Sequence, residues 1–298
     1  MLFEILIPSK TFLVGEYISL RGGPSLILCT TPCFKLIVNQ NLDNVANFYS
    51  GIHTDSPAGK LISRHLSFYQ HYQLTFVDPY HGLGGLGASS AQFAALFALK
   101  QNFILDDATL FEALSLYRQV AWNGKGIAPS GADVIAQMKG GMCFFHADQK
   151  RIELLKWPFT DASFCLIHTG NKLATHQHLA DLHDFDTTDM TDVVYTAYNS
   201  IINKDSWNFA ITINKFAKIL EKQNLVLAET KKLINEIRQQ EGVLACKGCG
   251  ALGADIIFVL LETKIQYRFL QWAKQFALPI INMGHEVSAG LNKIVIKN

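Results

Sequence analysis

Residues 81–99 read HGLGGLGASSAQFAALFAL, four glycines (82, 84, 85 and 87) leading directly into Ser89, Ser90 and an apolar helical stretch. Glycines let backbone N–H groups converge on a ligand, and a helix N-terminus adds partial positive charge. Together they make an anion site suited to phosphates. The hydroxyls of Ser89 and Ser90 can cap the helix or contact a metal. A plain strand-to-helix turn accounts for the glycines, but less well for the double Ser and the strongly periodic helix that follow. No Gly-Lys-Ser/Thr stands at the spacing of a Walker loop, and a Rossmann fingerprint fits poorly. The segment reads as a different phosphate loop.

Two other glycine-rich segments flank it in the chain. PSKTFLVGEYISLRGGPS, residues 8–25, places Lys10 between a strand and a turn. CKGCGALGADIIFVLL, residues 246–261, sets Gly248, Gly250 and Gly253 before a buried strand. Between them lies APSGADVIAQMKGGMCFF, residues 128–145, where Asp133 follows a tight Pro-Ser-Gly turn. A carboxylate beside glycines near a phosphate site is a candidate general base or metal ligand. The alternative on local sequence alone is an N-cap starting a short helix.

The rest of the chain sets the frame. Of 298 residues, 49% are hydrophobic and 17% charged, with 26 Lys+Arg against 25 Asp+Glu and a net charge of +1. That balance excludes a disordered tail protein and gives no electrostatic footprint for nucleic acid. The longest strongly apolar run, residues 256–261, has strand length, far below the roughly 20 residues of a membrane span. The N-terminus lacks the form of a signal peptide. Six cysteines in a chain this long do not form a small disulfide framework. A reduced cytoplasmic setting, without nucleic-acid or membrane partners, is expected.

Strand-like runs fall at 2–7, 25–29, 33–39, 141–147, 164–168, 256–261 and 293–297. Helical periodicity is clear in 89–102, where Phe93, Leu96, Phe97 and Phe103 can share a face, and in 108–121 after the capping candidates Asp106 and Asp107. Further helical stretches lie near 189–203, 207–223, 228–240 and 263–276. The pattern reads as α+β with a boundary at the Trp157-Pro158 punctuation, giving domains 1–158 and 159–298.

In this order the segments resemble the GHMP kinase superfamily. The likeness spans the chain: Lys-x4-Gly-Glu-Tyr at Lys10–Tyr17, Gly-Leu-Gly-x-Ser-Ser at Gly85–Ser90, Pro-Ser-Gly-x-Asp at Pro129–Asp133, and a C-terminal glycine loop. The first and third elements look closest to the mevalonate-pathway kinases, and HTGNKLATHQHL (168–179) is similar to the stretch that opens their second domain. The resemblance implies a two-domain fold with ATP between the domains and phosphoryl transfer to a small alcohol, mevalonate first and phosphomevalonate second. Gly84, Gly85, Leu86, Gly87, Ala88, Ser89 and Ser90 would wrap the triphosphate. Asp133 would take the hydroxyl proton, with Lys10 holding Asp133 ionised and neutralising the transferring group. Glu16, Tyr17, Ser130, Gly131, Thr169, His176, Gly250 and Ala251 would line the substrate end. Mg2+ would be held by ATP with Ser89 or Ser90, and homodimerisation is left open.

Three departures stand out. Ala88 shifts the Ser pair by one, so which serine reaches the metal stays open. The magnesium-binding Glu that mevalonate kinases carry eleven residues before the catalytic Asp is Trp122 here. The third loop ends in Asp255, which with Asp133-Val134 leans towards phosphomevalonate kinases. A catalytically silent binding protein of the same fold is the alternative from another class; the missing acid supports it, while the retained Lys10 and Asp133 oppose it. Cys246-x-x-Cys249 reads as small loop residues, and His176, His178 and His183 as a solvated helix end, not as metal sites. Arg21, Lys125, Lys139 and Lys172 stand in or beside the motifs, mostly as ordinary surface charges.

Overall fold

The computed structural model describes residues 2–40, 48–170 and 185–296. The chain opens with β1 (Leu2–Val14) and β2 (Pro24–Gln40), two long antiparallel strands. Next come β3 (Tyr49–Ser50), α1 (Pro57–Arg64), α2 (Leu66–Tyr69) and β4 (Tyr72–Val77). The glycine loop then enters α3 (Ala88–Lys100), followed by α4 (Asp107–Ala121), α5 (Ala132–Lys139), β5 (Met142–His146) and β6 (Arg151–Leu155). The remainder holds β7 (Ala162–His168), α6 (Met190–Ile202), α7 (Ser206–Lys222), α8 (Ala228–Arg238), β8 (Val243–Cys249), β9 (Ile256–Glu262), α9 (Gln266–Gln275), β10 (Ile280–Gly284) and β11 (Asn292–Val295).

Two sheets result. The first runs β11-β1-β2-β4-β3, with β5 pairing β2 and β6 pairing β5; the second runs β10-β7-β9-β8. Every pairing is antiparallel except β3 with β4. The sequence suggests separate strands at 25–29 and 33–39, yet β2 runs through both. One half pairs with β5 and the other with β4, and exposed Pro32 falls where the register against β1 shifts. A proline is tolerated there because its missing N–H is not needed in a regular ladder. β1 likewise continues past residue 7 to Val14, because Ser9–Phe12 pair with Ile27–Thr30. Lys10 therefore lies within a strand and not in a turn.

The run IIFVLL is explained by burial on both faces of β9. Ile256, Phe258 and Leu260 join the main core, whereas Ile257, Val259 and Leu261 pack with Ile234 and Ile237 of α8 and Phe269 of α9. A strand covered on both sides carries no polar alternation. α3 behaves similarly. From Ser90 to Leu99 all but Gln92 are buried, so it is a core helix and not one with a single apolar stripe. α3 and α5 pack on β1 and β2, while α6 packs on β2 and α7 on β8, so helices bridge the two sheets.

Candidate active site

Beyond Leu6 the outer edge of β1 is no longer covered by β11, and the glycine loop takes that place. The Lys10 backbone N–H donates to Leu86 O at 3.0 Å, and its ammonium donates to Gly85 O at 3.2 Å. Lys10 is buried at 9% exposure, with Nζ 5.3 Å from the Phe12 ring centroid. Among the described residues no ion pair joins Lys10 to Asp133; the lysine is held on the loop itself.

Two loop positions require glycine. Gly85 has φ +83°, and a Cβ there would lie 2.3 Å from Asp255 Cβ. Gly87 has φ +90°, and its Cβ would lie 2.8 Å from Lys10 Cγ and 2.9 Å from Gln137 Nε2. Gly87 is also the N-cap of α3, and among the described residues no side chain caps that helix. The first-turn N–H groups at Ala88, Ser89 and Ser90 are thus left for an anion. The two serines separate clearly. Ser90 is buried and its hydroxyl donates to Gly87 O at 3.0 Å, whereas Ser89 is exposed.

Asp133 sits half-buried in the first turn of α5, its Oδ1 accepting from Val134 N at 3.0 Å. It is a first-turn residue, not the N-cap, which is Gly131 at φ +70°. The Arg118 guanidinium, donating twice to Ser130 O at 3.1 and 2.9 Å, fixes the turn before it. Burial, then the charge of Asp133, pushes the Tyr117 hydroxyl upward from its ordinary pKa. Gln137, one turn further along α5, donates from Nε2 to Pro8 O at 2.8 Å and to Gly87 O at 3.1 Å. The loop, the Lys10 strand and the Asp133 helix therefore meet at one side chain.

The third glycine segment approaches from the second sheet. Gly248 belongs to β8 and does not lie in the loop; the loop proper is Gly250 with the 3-10 turn Ala251–Gly253. Asp255 is buried at 2% exposure, its side chain facing Gly85 and Gly250. Thr169 donates from its hydroxyl to Ala254 O and from its backbone N–H to Asp255 O at 3.0 Å. His168 is buried beside it, Nδ1 accepting from Gly170 N at 2.9 Å, and desolvation lowers its pKa.

Tyr17 is bound to this third loop and Glu16 to the strand before it. Tyr17 Oη accepts from Leu252 N at 3.2 Å, and the Glu16 carboxylate accepts from the Lys247 ammonium. Both members of that ion pair are buried, at 1% exposure for Lys247 and 8% for Glu16. Ser130 is buried, with Oγ accepting from Ala132 N at 3.3 Å. His176, His178, His183 and Lys172 lie outside the described residues.

Other sequence candidates resolve simply. Trp122 is 44% exposed, its indole N–H donating to Lys125 O at 3.0 Å. Cys246 and Cys249 are buried in β8, and both are free thiols. Lys139 pairs with Asp107 at 3.1 Å, and the Arg21 guanidinium lies 4.6 Å from the Phe185 ring centroid. Among the described residues no three His, Cys, Asp or Glu side chains cluster as a metal cage. Arg118, Gln137 and Lys247 carry no motif signature; for Gln137 the only sequence cue is its i+4 spacing from Asp133.

The α+β architecture with two sheets, crossed by a glycine loop at a helix start, is the fold of the GHMP kinases. Its solved neighbours include a protein of Listeria innocua, at TM-score 0.80 and 16% identity over 99% of each chain. The Streptococcus pneumoniae phosphomevalonate kinase matches at TM-score 0.75 and 13% identity, over 96% of this chain and 100% of that one. The Methanococcus jannaschii mevalonate kinase matches at 0.70 and 15%, over 96% and 98%. No family model matches the chain, and no curated protein matches it.

Proposed function

We propose that this chain transfers the γ-phosphoryl group of ATP to the hydroxyl of a small molecule, with mevalonate as the first candidate acceptor. The observation that carries the reading is the meeting of Lys10 and the uncapped start of α3 at Gly85–Gly87, with the Asp133 helix tied to the same loop. Phosphoryl transfer asks for positioning and charge neutralisation more than for covalent help. The loop amides and Lys10 bind and neutralise the phosphates. Asp133 accepts the hydroxyl proton as the alcohol oxygen bonds to the γ-phosphorus. The bond from that phosphorus to the β–γ bridging oxygen breaks, and ADP leaves with the electron pair.

The donor set suits a magnesium ion carried in on the nucleotide, because such ions commonly take one or two protein oxygens plus substrate phosphates. The exposed Ser89 hydroxyl would be such an oxygen, and bound metal would supply further neutralisation of phosphate charge. Ser90, already committed to Gly87 O, is the weaker candidate. Phosphomevalonate is the second acceptor, favoured by Asp255 at the end of the third loop. No described helix is long and apolar enough to cross a membrane. All six cysteines are free, which fits the reducing cytoplasm we propose as its setting.

A coupled ADP-release assay with mevalonate, phosphomevalonate, galactose and homoserine tests this. Turnover on mevalonate above the other three is expected. Preference for phosphomevalonate would move the assignment to the second acceptor. Nucleotide binding without turnover on any of them would sink the kinase reading in favour of a silent binding protein.

A further inference from the structure

We propose that Gln137 is the positioning residue that locks the phosphate loop to the Lys10 strand and the Asp133 helix, and thereby sets the affinity for nucleotide. The proposal rests on the nucleotide reading above.

The geometry begins with what the side chain faces. Gln137 is fully buried, and its Nε2 reaches Pro8 O at 2.8 Å and Gly87 O at 3.1 Å. Both partners are carbonyl oxygens, which cannot donate. Only the NH2 end of the amide can face them, so chemistry fixes the orientation of the group. Gly87 O also accepts from Ser90 Oγ at 3.0 Å and from Ala91 N at 2.9 Å. Three donors converge on one carbonyl.

In a trans peptide the C=O and the following N–H point in opposite directions. Holding Gly87 O inward therefore turns the Ala88 N–H outward, to the uncapped end of α3 where an anion would sit. A Cβ at Gly87 would need space that Lys10 Cγ and Gln137 Nε2 already fill, so the amide and the lysine stem both close on this loop position. The Gln137 backbone carbonyl accepts from Leu291 N at 3.0 Å, which joins the returning C-terminal segment to the same point.

The opposite end of the amide argues against a packing role. Oε1 is buried and makes no hydrogen bond among the described residues. An unpaired buried acceptor costs free energy, whereas Met or Leu would fill similar volume without it. The N–H end must offset that cost, and its two bonds go to the loop and to the strand.

The test compares wild type with Gln137→Met by titration calorimetry against ADP and a non-hydrolysable ATP analogue, with Tm recorded for both. The expected result is a folded variant that binds either nucleotide about tenfold or more weakly, since two hydrogen bonds that orient the loop are lost. Its KM for ATP should rise while kcat at saturating ATP changes far less. Should the Met variant not fold, Gln137→Asn keeps a polar amide too short to reach both carbonyls, and the same loss of affinity is expected. A folded variant with a lower Tm and unchanged nucleotide affinity overturns the proposal and leaves the kinase reading intact. Wild type that binds neither nucleotide overturns both.

Discussion

At position 133 a carboxylate stands in the first turn of α5. Its neighbours fix its place without neutralising it: Arg118 holds the preceding turn through Ser130 O, and Val134 N donates to Oδ1. Asparagine at this site keeps the size and the N–H contact but removes the proton acceptor. Asp133→Asn should lower kcat by about a hundredfold or more, the usual scale for a lost general base, with nucleotide affinity nearly unchanged because the phosphates sit on the loop. Steady-state kinetics beside a binding titration separates the two. A variant that keeps near-normal kcat would remove Asp133 from the role of base. Lys10 differs in kind. Its ammonium rests on Gly85 O, so it is held on the loop that would receive the charge.

Among the elements, β8 and its loop depend on one buried ion pair. Lys247 lies in β8 over the Phe216 ring, 5.7 Å from its centroid, and donates to Glu16 and to Gly248 O at 2.9 Å. Burial pushes the Glu16 carboxyl up, against the pull of Lys247. Removing one partner leaves the other charge uncompensated. Lys247→Met should therefore cost about 3–5 kcal/mol, a fall in Tm on the order of 10 °C for a chain this long. Adding Glu16→Leu should recover most of it, because an apolar pair replaces a desolvated one. Differential scanning calorimetry of the single and double variants decides, and a Lys247→Met protein as stable as wild type would show that the pair holds nothing. This contact also marks where sequence reading stops. The glycine loop, α3 and the run in β9 are legible because glycine spacing and unbroken apolar character have few local alternatives. The motif at Lys10–Tyr17 is legible as a place but not as a contact, since Glu16 finds its lysine 231 positions away. β8 carries Lys247 among small residues and has no strand signature. α5 has eight residues between glycines, too short for periodicity to declare. Gln137 is an ordinary amide until the fold brings Pro8 and Gly87 beside it.

At the scale of the whole molecule, the described residues form two sheets but one dominant core. A single buried cluster runs from Phe3 and Ile5 in β1 through Phe93 of α3 and Phe216 of α7 to Phe258 of β9, so apolar packing is continuous across both halves. The chain also returns on itself: after β10 in the second sheet, Ser288 and Ala289 meet Gly140 and Gly141, and β11 pairs with β1. A continuous core and a returning C-terminal strand join the halves mechanically, so neither sheet should open alone. The cysteines report this directly. Cys33 is partly exposed, whereas Cys29 and Cys143 are buried in the first sheet and Cys165, Cys246 and Cys249 in the second. Burial raises the buried thiols, Cys143 to about 12, so they react only when the structure opens. In native buffer a thiol reagent should label Cys33 alone. Across a urea series, peptide mass spectrometry of alkylated protein should show the other five becoming labelled at one common midpoint, coincident with the change in tryptophan fluorescence. Labelling of the second-sheet thiols at lower urea than Cys29 and Cys143 would show that the halves unfold separately.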